Sequence, residues 1–233
     1  MKKTLITLMA LAGVALAEDY TVENVWTVDF GSQHTNGYNT TGKLDNAGTF
    51  WDVSNYATAD GVTTANNHRP HLAGGVYGSW ADDFQFSITL TLGDTISASN
   101  GWPVFATIAG NGTALRFGPY TNDGNTVDLD GNLTKAQGGL ASVVAGGTYT
   151  ITLTKIGTDL TLAVDGVTTA TGTLSDTASG NITDIALGGD TGGAYRINET
   201  VHSISMGTII PEPATATLSL LALAGLAARR RRK

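Results

Sequence analysis

Apolar and polar residues alternate one by one through Phe84–Leu92. Phe84, Phe86, Ile88, Leu90 and Leu92 fall on one side; Gln85, Ser87, Thr89 and Thr91 fall on the other. Successive side chains of an extended strand point to opposite faces, so this period of two predicts a strand with an apolar inner face and a hydroxyl-rich outer one. The same alternation recurs at Tyr149, Ile151 and Leu153 and again at Leu160, Leu162 and Val164. Between the termini no long stretch shows the 3.6-residue spacing of an amphipathic helix.

Turn signals separate these runs. Gly110-Asn111-Gly112 joins a strand at Pro103–Ala109 to one at Thr113–Phe117, and Asp165-Gly166 joins Val164 to a strand at Val167–Thr173. Asn-Gly and Asp-Gly accept the positive φ angles of two-residue hairpins. Further strands are expected at Val25–Phe30, Ile182–Leu187 and Val201–Met206. About a dozen short strands with polar turns predict an all-β fold, a two-sheet antiparallel β-sandwich of jelly-roll type. Val28 and Ile204 are expected core residues on paired strands near the two ends of the domain.

The run from Gly147-Thr148-Tyr149 through Gly157-Thr158-Asp159-Leu160 and Val164-Asp165-Gly166 to Gly172-Thr173-Leu174 resembles the central hairpin of LamG-like, concanavalin A-like domains. Ile185-Ala186-Leu187-Gly188-Gly189 matches the next strand of that pattern. The resemblance covers about half the domain and implies a two-sheet jelly roll. It implies no ligand, because function resides in a site and not in a fold.

The ends read differently. Met1–Ala17 has a basic start at Lys2 and Lys3, an apolar stretch at Leu5–Leu16 and small residues Ala15 and Ala17 around a cleavage point. This is the pattern of a secretory signal peptide, expected to be helical and removed by signal peptidase. At the other end Pro211-Glu212-Pro213 precedes an apolar run, Ala214–Ala228, and the cluster Arg229, Arg230, Arg231, Arg232 and Lys233. A 15-residue helix would span roughly 22 Å, short of the roughly 30 Å hydrocarbon core of a bilayer. The basic cluster would stay cytoplasmic. These three parts in order resemble the PEP-CTERM sorting tail of Gram-negative bacteria. The resemblance implies transient insertion in the inner membrane and processing near the motif by an exosortase, followed by display on the outer surface or in the extracellular matrix. A lasting membrane anchor is the alternative. The expected organisation is a signal peptide at 1–17, a sandwich at 18–208 and a sorting tail at 209–233.

Charge narrows the partners. Residues 18–208 hold six basic residues against nineteen acidic ones, a net of −13. Such a surface repels nucleic acid and anionic lipid and suits solubility, cation binding or neutral ligands such as glycans. The chain has no cysteine, which excludes disulfides, thiol catalysis and thiolate metal sites.

Several side-chain groups invite a chemical reading. Sugar C–H faces stack on exposed aromatic rings. Trp51, Tyr56, Tyr77, Trp80 and Trp102 are the rings to weigh, and Trp80 stands beside Asp82 and Asp83 in a glycine-flanked segment. Trp51, Tyr77, Trp80 and Asp82 are therefore candidate glycan contacts; core packing is the other role for each ring. Asp123, Asp128 and Asp130 crowd hard oxygens of the kind calcium prefers, but Leu133 stands where an EF-hand loop needs glycine. Polar turns explain the same residues. His68 and His71 flank a proline, and His34 and His202 are distant in sequence, which argues for a solvated loop over a zinc site. No Gly-x-Ser-x-Gly elbow, phosphate loop or clustered glutamate pair of a glycosidase occurs. The sequence thus points to a non-enzymatic surface protein without a cofactor, acting in adhesion or glycan binding. A structural role in the matrix or envelope is the alternative, and a glycoside hydrolase with an unrecognised carboxylate pair is a third reading.

Overall fold

A computed structural model describes residues 20–29, 40–41, 49–50, 57–58, 61–64, 71–98, 104–120, 126–188 and 195–211. The chain divides into Val22–Ile210 and a unit made of its two ends, Met1–Thr21 with Pro211–Lys233. Of the latter only Tyr20, Thr21 and Pro211 are described. The signal segment with Ala15 and Ala17, the motif residues Glu212 and Pro213, the apolar run and Arg229–Arg232 lie outside the described residues. So do Trp51, Tyr56, Trp102, His34, His68 and Asp123. No helix among the described residues is long and apolar enough to cross a membrane.

The described part is all-β, as the alternation predicts. In chain order the strands are β1 (Tyr20–Asp29), β2 (Thr40–Thr41), β3 (Thr49–Phe50), β4 (Ala57–Thr58), β5 (Gly61–Thr64) and β6 (His71–Ser79). There follow β7 (Phe84–Ala98), β8 (Ala106–Gly110), β9 (Thr113–Tyr120), β10 (Thr126–Gly131) and β11 (Leu133–Gln137). The last are β12 (Thr148–Ile156), β13 (Asp159–Val164), β14 (Val167–Leu174), β15 (Asn181–Leu187) and β16 (Tyr195–Pro211). They form two antiparallel sheets. The larger runs β11-β14-β13-β12-β7-β16-β1-β2, with β5 and β4 added beside β16; the smaller runs β10-β9-β8-β15-β6-β3.

One core joins the inward faces. Phe86, Ile88, Leu90, Ile151, Leu153, Leu162 and Ile204 from the larger sheet are buried with Leu72, Ile108, Leu115, Phe117, Val127 and Ile185 from the smaller. Phe86 and Phe117 meet across the sheets with ring centroids 6.0 Å apart. Val28 and Ile204 are both buried, on the neighbouring strands β1 and β16. The first and last long strands of the domain therefore lie side by side.

The predicted hairpin turns are present. Asn111 and Gly112 have φ of 49° and 77°, and Asp165 and Gly166 have 50° and 81°. Both φ angles are positive in each pair, as a type I′ turn requires. Gly110 is fixed by crowding instead: a Cβ there would fall on the Asn181 carbonyl oxygen of β15.

Two register shifts re-aim side chains. Leu162 opposes Ala170 while Ala163 opposes Thr168, which leaves Thr169 as an extra residue of β14. Ile182 opposes Gly78 while Asp184 opposes Ala73, so Gly74–Tyr77 bulge from β6 against Thr183 alone. Bulges add local twist and turn a side chain out of the ladder. The first turns Thr169 inward, and the second folds the Tyr77 ring back over Gly75, where a Cβ would lie 3.1 Å from its ring atoms.

Candidate functional site

Two of the aromatic candidates, Trp80 and Tyr77, take the other role open to them and pack in the core. Trp80 is 2% exposed, and its Nε1–H donates to the Gly110 carbonyl at 3.1 Å. Its ring meets Phe84 edge-on at 6.1 Å. Its backbone N–H donates to the Gly180 carbonyl at 2.9 Å. Tyr77 is 4% exposed and packs on Trp26, with centroids 5.8 Å apart. The Trp26 Nε1–H donates to the Tyr77 carbonyl. Neither ring offers a face to a sugar. Burial pushes the Tyr77 hydroxyl up from its ordinary pKa, with Asp184 adding to the rise and the Gly75 backbone opposing it. That hydroxyl lies buried without a well-formed hydrogen bond. Asp82 is exposed as expected, but its backbone is what the fold uses.

That use involves Lys155, which shares the inward face of β12 with Ile151 and Leu153 and is almost wholly buried. Its Nζ donates to the Asp82 carbonyl at 2.9 Å, lies 3.7 Å from Asp83 Oδ1 and sits 5.9 Å from the Phe84 ring centroid. Asp83 Oδ1 also accepts the Gly157 N–H at 2.7 Å. Desolvation pulls the Lys155 pKa down, and the Asp83 carboxylate opposes it. The cluster closes one end of the sandwich around the β6–β7 turn and the β12–β13 turn.

The Asp-rich stretch does not converge. Asp128 Oδ1 accepts the Leu129 N–H at 2.9 Å, and Asp130 Oδ2 accepts Arg116 Nη2 at 2.7 Å. Asn132 Oδ1 accepts the Ala114 N–H at 2.7 Å and ties β9 to the β10–β11 turn. Among the described residues no three His, Asp or Glu side chains gather as a metal site would need. His202 Nε2 pairs with Thr91 Oγ1 at 2.7 Å on the outward face of the larger sheet. The His71 backbone pairs with Ala186 in the smaller sheet, so the structure does not bring these two histidines together.

The outward face of the larger sheet is a ladder of hydroxyls. Ser87 meets Thr152 at 3.1 Å, Thr89 meets Thr150 at 3.3 Å and Thr91 meets Thr148 at 2.8 Å, while Gln85 Nε2 donates to Thr154 Oγ1 at 3.3 Å. Cross-strand pairs of this kind add to sheet stability. They also engage the hydroxyls with one another, so the face is polar and largely self-satisfied.

The outward face of the smaller sheet carries its exposed charge at the β9–β10 edge, while Thr107 and Ala186 farther across it are buried. One row across it is Asp130, Arg116, Thr107, Ala186 and the His71 backbone; the next carries Ala114, Ala109, Asp184 and Ala73. Arg116 and Asp130 are 39% and 42% exposed at the side chain, with Asp128 one position along β10 on the same face. The carboxylate fixes the guanidinium, a planar fork of five donors. Among the described residues this half-exposed fork beside Asp130 and Asp128 is a set of polar groups that could orient a hydroxyl-bearing ligand. Sequence reading passed over Arg116. Its signal was available: one of six basic residues in the domain, between core residues Leu115 and Phe117.

No known family profile matches the chain, and no curated protein matches it. Solved structures do share its fold. Domain 4 of AbnA, a GH43 extracellular arabinanase from Geobacillus stearothermophilus in complex with arabinotriose, matches at 14% identity with a TM-score of 0.55. The match covers 83% of this chain and 96% of that domain. Trypanosoma rangeli sialidase in complex with sialic acid matches at 15% identity and a TM-score of 0.51, covering 80% of this chain and 31% of that one. The chain thus spans less than a third of the sialidase. At these identities the likeness shows the two-sheet jelly roll alone.

Proposed function

We propose that this is an exported, non-catalytic glycan-binding protein, carried out by its signal peptide, sorted by exosortase at Pro211-Glu212-Pro213 and displayed at the surface or in the matrix. The observation that carries the reading is the Arg116–Asp130 pair on the outward face of the smaller sheet. A domain of the same fold in complex with arabinotriose supports it. Glycoside hydrolysis needs two carboxyl groups that span the scissile bond. Asp130 is engaged by Arg116 and Asp128 by the Leu129 N–H, which favours binding over chemistry.

Glycan arrays followed by calorimetry test it, with arabinan oligosaccharides and sialylated glycans included. Arg116→Ala should weaken binding about tenfold, or about 1.4 kcal/mol, with little change in melting temperature. Absence of binding to any glycan would sink the reading. The burial of Trp80 and Tyr77 favours a second one, a structural matrix component without a glycan ligand. For the sorting step, Pro211→Ala with Glu212→Ala should leave full-length protein in the inner membrane; unchanged release would refute exosortase processing.

A further inference from the structure

The hairpin between β8 and β9 ends in a chemically reactive pair. Gly110 and Thr113 are the last partners of its ladder, so Asn111 and Gly112 alone make the turn. Both are exposed. A Cβ at Gly112 would meet nothing within 4 Å, so the tip of the turn is open on that side. The turn thus sets an electrophilic side-chain amide carbon beside an unhindered backbone nitrogen, in contact with water.

The Asn111 amide also has a structural task. Its Nδ2 donates to the Ser179 carbonyl at 3.0 Å and to the Ser179 hydroxyl at 3.4 Å. Gly180 lies against it. A Cβ there would fall 2.8 Å from Nδ2, and the Gly180 φ of 78° favours glycine. The Gly180 carbonyl accepts the Trp80 N–H at 2.9 Å, and the Trp80 Nε1–H donates to the Gly110 carbonyl beside the turn. One side-chain amide therefore ties the β8–β9 turn to the turn before β15, at the end of the smaller sheet where Trp80 is buried.

We propose that Asn111 is a self-modification site, converted to aspartate or isoaspartate with water as co-reactant, and that its bonds to Ser179 set the rate. Base removes the Gly112 amide proton. The Gly112 nitrogen attacks the Asn111 side-chain carbonyl carbon, and the new C–N bond closes a cyclic imide. The bond to Nδ2 breaks, and that nitrogen takes a proton from water and leaves as ammonia. A second water opens the imide. Addition at the side-chain carbonyl gives aspartate; addition at the backbone carbonyl gives isoaspartate, whose main chain runs through Cβ. The balance is asparagine plus water to acid plus ammonia, with no change of oxidation state. Attack needs the side-chain carbon to turn toward the Gly112 nitrogen, while the bonds to Ser179 hold the amide against the neighbouring turn. Those bonds open before the ring closes.

The product does not restore the contact. A carboxylate has no donor, and it faces the Ser179 carbonyl oxygen where Nδ2 stood. It also adds a negative charge to a domain of net −13. Isoaspartate lengthens the main chain inside a two-residue turn whose ends are fixed by the Gly110–Thr113 pair. The change is one-way, accumulates with the age of the molecule and loosens this end of the sheet.

The experiment incubates the full chain in mildly alkaline buffer, folded or unfolded in guanidinium chloride, and maps its peptides by tandem mass spectrometry. The mapping separates Asn111 from the other Asn-Gly pairs, Asn36-Gly37 and Asn100-Gly101. Folded wild type should gain the amide-to-acid mass increase at Asn111, several-fold more slowly than the unfolded chain. Gly180→Ala pushes a methyl group against the amide and should speed the reaction several-fold. Asn111→Gln should remove it, because glutamine closes a larger ring slowly. Circular dichroism checks that each variant is folded; if Gly180→Ala is not, the folded and unfolded wild-type rates decide the role of Ser179. Asn111→Asp carries the product's charge from the start and should melt about 2–4 °C below wild type. An unchanged melting temperature would refute the loosening. Absence of acid at Asn111 in the folded protein would overturn the proposal. A folded rate equal to the unfolded one, or a folded Gly180→Ala that reacts like wild type, would overturn it as well. Glycan binding through Arg116 is measured separately, so either reading can fail alone.

Discussion

Removing Trp80 should destabilise the fold and not merely remove a surface ring. The indole sits between two turns of the smaller sheet and the start of β7. It donates to Gly110, its backbone donates to Gly180, and it lies edge-on to Phe84. Trp80→Phe keeps most of the apolar volume but loses the Nε1–H. A typical net hydrogen bond contributes about 0.5–1.5 kcal/mol, and a buried partner left unsatisfied costs about 1–3 kcal/mol. The Gly110 carbonyl is part-buried, so about 1–2 kcal/mol is expected for this variant. Trp80→Ala also opens a cavity, and such truncations cost about 3–5 kcal/mol. In a domain of this size each kcal/mol lowers the melting temperature by about 2–4 °C. Urea titrations followed by far-ultraviolet circular dichroism would measure both variants without relying on the altered fluorophore. A midpoint for Trp80→Ala within about 0.5 kcal/mol of wild type, the range of an ordinary surface substitution, would refute the core assignment.

Thr169→Val preserves shape but removes the hydroxyl that donates to the Val127 carbonyl and accepts from Ala141; a loss of about 1–3 kcal/mol is expected in the same titration. Tyr77→Phe removes a buried hydroxyl without a well-formed bond, so stability should hold or rise by up to about 1 kcal/mol; a loss above about 2 kcal/mol would show that the hydroxyl has a partner. Lys155 has its pKa lowered in the fold, so between its folded value and the unfolded 10.5 the unfolded chain binds more protons and stability rises with pH. Lys155→Met should flatten that alkaline rise in melting temperature, and an unchanged slope would place its origin elsewhere. Tyr77 acts with the opposite sign: its raised pKa makes stability fall as pH climbs past 10.0, so Tyr77→Phe should soften that decline.

The sheets were legible in sequence because their signals are local. Period-two alternation needs only neighbouring residues, and the Asn111-Gly112 and Asp165-Gly166 turns are set by the φ preferences of the residues in them. The bulges were not legible. Nothing in the order Gly74-Gly75-Val76-Tyr77 says that four residues will oppose one on β15, because that register is set by a strand a hundred residues away. Lys155 was half legible. It continues the parity of Ile151 and Leu153, but an inward lysine makes sense only once the Asp82 carbonyl and Asp83 are in place to receive its ammonium. The charged face had one local mark, Arg116 between two core residues. Its pairing with Asp130 depends on the β9–β10 register.

Trp80 shows why glycine-flanked, acidic segments mislead. Gly78-Ser79-Trp80-Ala81-Asp82-Asp83 has the composition of a solvated loop, and a tryptophan in such a loop suggests a ligand platform. The sandwich has another need there. A chain with no cysteine must close the open ends of its two sheets without disulfides, and a large side chain with one donor can do that by filling the gap and bonding a backbone carbonyl. Trp80 takes the Gly110 carbonyl, Lys155 takes the Asp82 carbonyl, and Thr169 takes the Val127 carbonyl. All three are polar groups on buried side chains, spent on backbone acceptors from distant parts of the chain. Among the described residues, the Arg116–Asp130 pair on the smaller sheet is a polar pair that this closure does not use. A site in such a protein is therefore better sought among exposed side chains that the fold can spare than among the residues whose chemistry is most conspicuous in the sequence.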